Sequence, residues 1–252
     1  MLLYYFTSLR HGLSAIQEER LKVSRFDQLN DLYDHVGIFV NNENDLHARE
    51  ELRSQVLAQE GLLCMSKTYQ EPLLWGHYAD NHRGMCLIFS VPESGDWWDV
   101  EYVPKRPKVR DFGIHSFRDL SKEQIHTIAR TKFKNWSYEQ EMRRLIFLDE
   151  YDFADDIHFQ RFDYQMRLKG ALFGARCGIS DRQLQALLAH DESLKYAFVM
   201  PREGSYRVGV SKHKTAEKVI PEGRRLRADL GGNIKFDKGR SVKIGKNYRM
   251  TI

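Results

Sequence analysis

Glu139, Glu141 and Arg143 stand at alternate positions in KNWSYEQEMRRLIFL, Lys134 to Leu148. On a strand they project from one face at intervals of roughly 6.5 to 7 Å, whereas on a helix the two glutamates lie on nearly opposite sides. The continuation RLIFL favours a strand, so the spacing predicts that the carboxylates converge. Two carboxylates on one face raise each other's pKa, and a neighbouring arginine lowers it again. That arrangement suits catalysis at an anomeric carbon, where one carboxylate stabilises positive charge on a sugar ring while another group handles a proton. A solvated, charged strand face has the same spacing and is the plainer alternative.

A second dense stretch is LLWGHYADNHRGMCLIFSV, Leu73 to Val91. A helix there puts Trp75, Tyr78 and His82 along one face, with His77 and Asn81 on the next. Two histidines five apart share a helical face poorly, and no C-x-x-C pair supplies further ligands, so no metal is expected. Trp75 and Tyr78 read as core or pocket wall. His77 reads either as a buried imidazole bonded to backbone or, with Asp80, as part of a pocket. His82 reads as a helix end entering a turn at Gly84.

These two blocks, with LLCMS and LNDLYD, resemble a widespread bacterial family catalogued as domain of unknown function 2971. The resemblance covers most of residues 1 to about 210. Asn30, Asp31 and Asp34 match an early turn of that family, and leucine stands at position 32 where proline is usual. The family name carries no activity. The order of an aromatic strand with Thr7, a strand with Ser66-Lys67-Thr68 and a strand with Glu139-Gln140-Glu141 is in turn similar to the three-part arrangement of ADP-ribosyltransferases.

This second resemblance implies an α+β fold, a split and mostly antiparallel sheet with flanking helices, and NAD as substrate without a metal. Glu141 would bind the ribose hydroxyl and stabilise an oxocarbenium-like transition state, and Glu139 would orient or deprotonate the acceptor. Tyr5 and Thr7 would line the nucleotide, Ser66 would brace the pocket, and Trp75, His77 and Tyr78 would form its wall. The first strand is similar to that of DNA-targeting members, with tyrosine where histidine is often seen. The acceptor would be nucleic acid or protein, as in a toxin or phage-defence effector with an antitoxin partner.

The elements that must position these residues follow from pattern. LLYYFTS reads as a strand, Leu9, Leu13 and Ile16 as a helix face, and LKVSRF as a short strand. NENDLHAREELRSQVLAQEG reads as a helix capped by Asn44 or Asp45 and stopped at Gly61. LLCMSKT and GMCLIFSV are strands flanking a helix that opens at Pro72. Between Glu93 and Phe117, WDVEYV reads as one strand followed by a loop carrying KRPKVR. Ser121 and Gln124 form a capping box, and Asp181 caps RQLQALLAHD. MRRLIFL, LKGALF, KYAFVMP and SYRVGV complete the strands.

The 252 residues, 42% hydrophobic and 12% aromatic, allow a substantial core and argue against disorder. We expect a single α+β domain over 1–210 and a basic extension over 211–252. From Arg202 onward there are fourteen Lys/Arg against five Asp/Glu, which leaves the preceding residues mildly acidic. That tail, with KRPKVR, offers a grip on nucleic-acid phosphate, so a binding module without catalysis is a second reading. A nucleotide or glycoside hydrolase using the same carboxylates is a third. Cys64, Cys86 and Cys177 sit in apolar surroundings, as expected of reduced thiols. No stretch approaches the ~20 apolar residues of a membrane span, and no basic start precedes the N-terminal apolar run. The expectation is a cytoplasmic protein without a cleaved leader and without membrane association.

Overall fold

A computed structural model describes residues 1–34, 38–93, 95–148, 152–154, 157–211, 224–228 and 234–238. It is a mixed α and β structure whose strands pair mostly antiparallel, with helices flanking them. In chain order the elements are β1 (Leu2–Thr7), α1 (Leu9–Glu18), β2 (Arg20–Lys22), β3 (Ser24–Arg25), α2 (Glu43–Gln59), β4 (Glu60–Ser66) and α3 (Pro72–Tyr78). There follow β5 (Met85–Ser90), β6 (Trp97–Asp99), β7 (Glu101–Val103), α4 (Lys122–Ala129), β8 (Thr131–Phe133), β9 (Glu141–Phe147), β10 (Asp152–Ala154) and β11 (Ile157–Arg161). The remainder are β12 (Arg167–Phe173), α5 (Asp181–His190), β13 (Lys195–Pro201), β14 (Val208–Val210), β15 (Arg224–Ala228) and β16 (Ile234–Lys238).

The chain divides into two compact units, one of Met1–Arg20, Ser66–Glu93 and Phe162–Ile252, the other of Leu21–Met65 and Ser94–Arg161. The division runs through the stretch 1–210 that the sequence presented as one domain. Of 211–252, the described residues are Ser211 and the antiparallel pair β15–β16.

In the first unit the strand order is β14-β13-β12-β5-β1. MCLIFS sits between β1 and β12, antiparallel to both, and Met85 to Phe89 are all at 0% exposure. A strand covered on both faces must be apolar throughout, which is why this run shows no alternation. β12 and β13 pair in parallel, and between Leu168 and Gly170 the β12 register shifts by a bulge. Gly170 has φ 154°, and a Cβ there would overlap the Lys195 carbonyl oxygen, so only glycine fits.

In the second unit β9 lies between β4 and β6, and β3 adds to β4. The helix α2 is capped by Asn42, whose Oδ1 accepts from the Asp45 N–H at 2.8 Å, instead of by Asn44 or Asp45. Asp45 is used otherwise: its Oδ1 accepts from Phe117 N–H at 2.7 Å and from Ser116 Oγ at 2.9 Å. This ties α2 to the loop after KRPKVR, around a small core of Ile38, Ala48, Val109 and Phe117. WDVEYV is two strands, because Val100 leaves the ladder and its N–H donates to Glu141 O at 3.1 Å. In the first unit Ser180, not Asp181, caps α5, its Oγ accepting from Gln183 N–H.

Candidate active site

The site is built on the shortest sheet of the second unit. Strands β7 and β8 run parallel, with Tyr102 beside Lys132 and Val103 beside Phe133. The capping box of Ser121 and Gln124 starts α4 as expected, and α4 delivers the chain into β8 through Arg130. Beyond Phe133 the chain does not continue as a strand. Lys134–Glu139 is a 3-10 helix, Gln140 takes a left-handed φ of 45°, and β9 begins at Glu141. Glu139 and Glu141 do converge, but through this reversal rather than through strand alternation.

They converge on a cation. Lys132 Nζ lies 2.7 Å from Glu139 Oε2, 3.0 Å from Glu141 Oε2 and 3.6 Å from Asp34 Oδ2. It also sits 5.0 Å above the Trp136 ring. Arg143 completes the cluster: Nε donates to Glu141 Oε1 at 2.8 Å, Nη2 to Asp34 Oδ1 at 2.9 Å, and Nη1 to the Ala129 carbonyl at 2.8 Å. Three carboxylates thus surround two cations, and all five side chains are buried. The solvated charged face is therefore excluded for Glu139, Glu141 and Arg143.

Burial sets the chemistry of the cluster. It pushes the Glu141 carboxyl up, but Arg143 and Lys132 outweigh it and hold the group down at about 2. At Asp34 burial prevails over the same two cations, with Glu141 adding to it, and the carboxyl is raised. Lys132 is held above its ordinary range because Glu141, Asp34 and Glu139 overcome the cost of burial. It is therefore an ammonium and not a nucleophile. Cys64 bonds through its thiol to Glu141, and burial pushes that thiol far up. The Tyr102 hydroxyl accepts from the Glu141 N–H at 2.9 Å and fixes the first residue of β9.

A cavity of about 420 Å³ opens against this cluster. Asp34 and Lys132 belong to its lining, as do Asp31, Tyr33, Lys105 and Arg106. Asp31 is buried; its Oδ1 accepts from Tyr33 N–H at 2.9 Å, and its Oδ2 has no hydrogen-bond partner among the described residues. Tyr33 is 57% exposed and carries the Arg106 guanidinium 5.6 Å above its ring centroid. Glu139 and Glu141 stand behind Lys132 and are not part of the lining. Lys132 and Tyr102 carried no motif in the sequence, whereas Arg106 lies in KRPKVR, the basic cluster read there as a grip on phosphate. Asp34 carried one, through LNDLYD, but nothing in the chain pattern joined it to Arg143, 109 positions away.

The remaining expected site residues lie in the first unit. Tyr5 and Thr7 are on β1, with Thr7 buried, and Ser66 Oγ accepts from Thr68 N–H at 3.0 Å. Trp75 is at 0% exposure, its Nε1 donating to the Tyr69 carbonyl at 2.7 Å and its ring edge-on to Phe6. It is a core residue in this structure. His77 is exposed and packs edge-on with Tyr78.

The Asp-Asn-His run after α3 has a backbone explanation. Asp80, Asn81 and His82 have φ of 46°, 51° and 68°, three consecutive left-handed residues, and Asp, Asn and His are the types that tolerate this conformation best outside glycine. The turn is pinned by His82 N–H to Trp75 O at 3.0 Å and Gly84 N–H to Ala79 O at 2.8 Å. Arg176 N–H caps the His82 carbonyl at 3.0 Å, where a Cβ on Gly174 would collide with that oxygen.

In comparison with known proteins, no family model, no curated protein and no solved structure matches the chain. Among the described residues no group of three His, Cys, Asp or Glu is arranged to hold a metal ion, and no helix is long and apolar enough to cross a membrane.

Proposed function

We propose that the chain is an ADP-ribosyltransferase-like enzyme that takes NAD into the cavity of the second unit and transfers its ADP-ribosyl group to a macromolecular acceptor. One observation supports this above the others: the same cavity is lined by carboxylates, Asp31 and Asp34, and by cations, Lys105 and Arg106. NAD carries a positive nicotinamide ring and negative phosphates, so a cavity of both signs suits it. The volume lies within the range of small-molecule sites.

In this reading the C1′–N bond breaks with its electron pair leaving on nicotinamide, and the acceptor's oxygen or nitrogen forms the new bond to C1′. Asp34, backed by Arg143 and Lys132, faces the positive charge that develops on the ribose. Asp31, which lines the same cavity, takes the acceptor's proton. Glu139 and Glu141, given the catalytic role by sequence, hold Lys132 and Arg143 and so act as positioning residues. Water in place of the acceptor would make the same step a hydrolysis.

Nicotinamide release from NAD by the full chain tests the proposal. Asp34→Asn is expected to lower kcat by roughly 10²–10³, the usual effect of removing one electrostatic stabiliser. Glu141→Gln lowers kcat as well, but with loss of thermal stability. A folded wild-type chain that releases no nicotinamide, with or without nucleic-acid and protein acceptors, removes the proposal.

A further inference from the structure

We propose that Lys105 and Arg106, with Arg49 behind them, form a subsite for the diphosphate of a nucleotide. The inference rests on the reading of this cavity as a nucleotide site and adds which residues hold which part of the ligand.

Arg106 is a built element of the cavity and not a loose surface cation. Its Nη2 donates to the Ile38 carbonyl at 2.8 Å and its guanidinium lies over Tyr33, so two sides of the group are fixed. Its loop is fastened as well: Phe39 N–H donates to Pro107 O at 2.8 Å, and Phe39 bridges Lys108 in parallel. Pro104 and Pro107 restrict φ on either side of Lys105 and Arg106. A guanidinium held this way loses little freedom when it binds an oxyanion, and its planar fork matches two phosphate oxygens.

A second arginine raises the local positive potential. Burial and the neighbouring Arg49 both push the Arg106 guanidinium below its ordinary range. Arg49 bonds to Glu50 at 3.2 Å through Nη2, while its Nε has no hydrogen-bond partner among the described residues. Two guanidinium groups that repel each other, one of them lining the cavity, are relieved by a doubly charged anion bound at the lining arginine. Lys105, exposed and also in the lining, adds a third charge. Tyr33, exposed beneath Arg106, offers a ring face next to this anion.

Isothermal titration of inorganic pyrophosphate into the full chain tests the subsite, with ADP-ribose and a short single-stranded oligonucleotide as further arms. Pyrophosphate is expected to bind and to be displaced by ADP-ribose. Arg106→Gln should weaken it at least tenfold, and Lys105→Gln, at an exposed position where folding is not at risk, should weaken it severalfold. No binding of pyrophosphate, or equal binding by Lys105→Gln and Arg106→Gln, overturns the proposal. An oligonucleotide that binds in an Arg106-dependent way while pyrophosphate does not overturns it too, in favour of a nucleic-acid backbone as ligand. The two readings separate cleanly: Arg106-dependent pyrophosphate binding without NAD cleavage leaves the subsite and removes the reaction. NAD cleavage with an unchanged KM in both variants does the reverse.

Discussion

Asp34 Oδ1 and Arg143 Nη2 meet at 2.9 Å, although 109 positions separate them in the chain. Both side chains are at 1% exposure, so salt screens the pair little. Through it the turn LNDLYD and the strand β9 become parts of one charge cluster.

Removing the guanidinium should therefore be costly. Arg143→Met leaves three buried carboxylates around the single Lys132 ammonium, and breaking a buried pair on one side typically costs about 3–5 kcal/mol. Urea unfolding of the variant is expected to show a loss in that range. A loss under ~1 kcal/mol would mean that water reaches the cluster.

Acid should expose the asymmetry between the carboxylates. Glu141 titrates at about 2 in the folded chain against an ordinary 4.5, so its contribution is complete above pH 4.5 and is lost as pH falls towards 2. At ~1.4 kcal/mol per pKa unit this amounts to on the order of 3 kcal/mol. Asp34 works in the opposite direction: its raised pKa means that the folded state gains relative stability as pH falls through it. Unfolding free energies of Glu141→Gln, followed from pH 5 to 2.5, should show a flatter acid limb than the wild type. An unchanged limb would assign the acid sensitivity to other groups.

Tyr102 supplies a hydroxyl to a single backbone donor, the Glu141 N–H. Tyr102→Phe leaves that N–H without its acceptor at a buried position, at a cost of about 1–3 kcal/mol. Amide exchange at Glu141 is the direct readout: protection should fall there, while β4 amides such as Leu63 keep theirs.

The left-handed turn at residues 80–82 makes a prediction about types and not about charge. Asn81→Val should destabilise by about 1–2 kcal/mol, since a β-branched residue bears the full steric cost of positive φ. Asn81→Gly should be neutral or stabilising. Thermal melts in which both variants shift equally downward would assign the asparagine a side-chain role.

Most elements were legible because each carries a local signal. Pro72 opens α3, Ser121 with Gln124 opens α4, and the unbroken MCLIFS run marks a buried strand. The site was legible only in part. That Glu139 and Glu141 come together could be read from spacing, yet the reversal at Gln140 that does it could not, because a left-handed glutamine leaves no mark in the pattern. Lys132 was missed because a lysine in a three-residue strand looks like any solvent-facing lysine until its three acidic partners are in place. Conversely, Asp80 read as part of a pocket, yet its conformation belongs, with Asn81 and His82, to a left-handed turn. Residue types suited to catalysis are also the types suited to turns.

The wide sequence separation of Asp34 and Arg143 has a consequence for synthesis. At ~5–20 residues per second the ribosome delivers the arginine roughly 5 to 20 s after the aspartate. For most of that interval, until Lys132 is made, a nascent chain carries Asp34 without either of its cationic partners. No N-terminal fragment ending before position 143 can close the cluster, and no C-terminal fragment starting after position 34 can either. A gene split between the two positions gives a closed cluster only if both pieces associate.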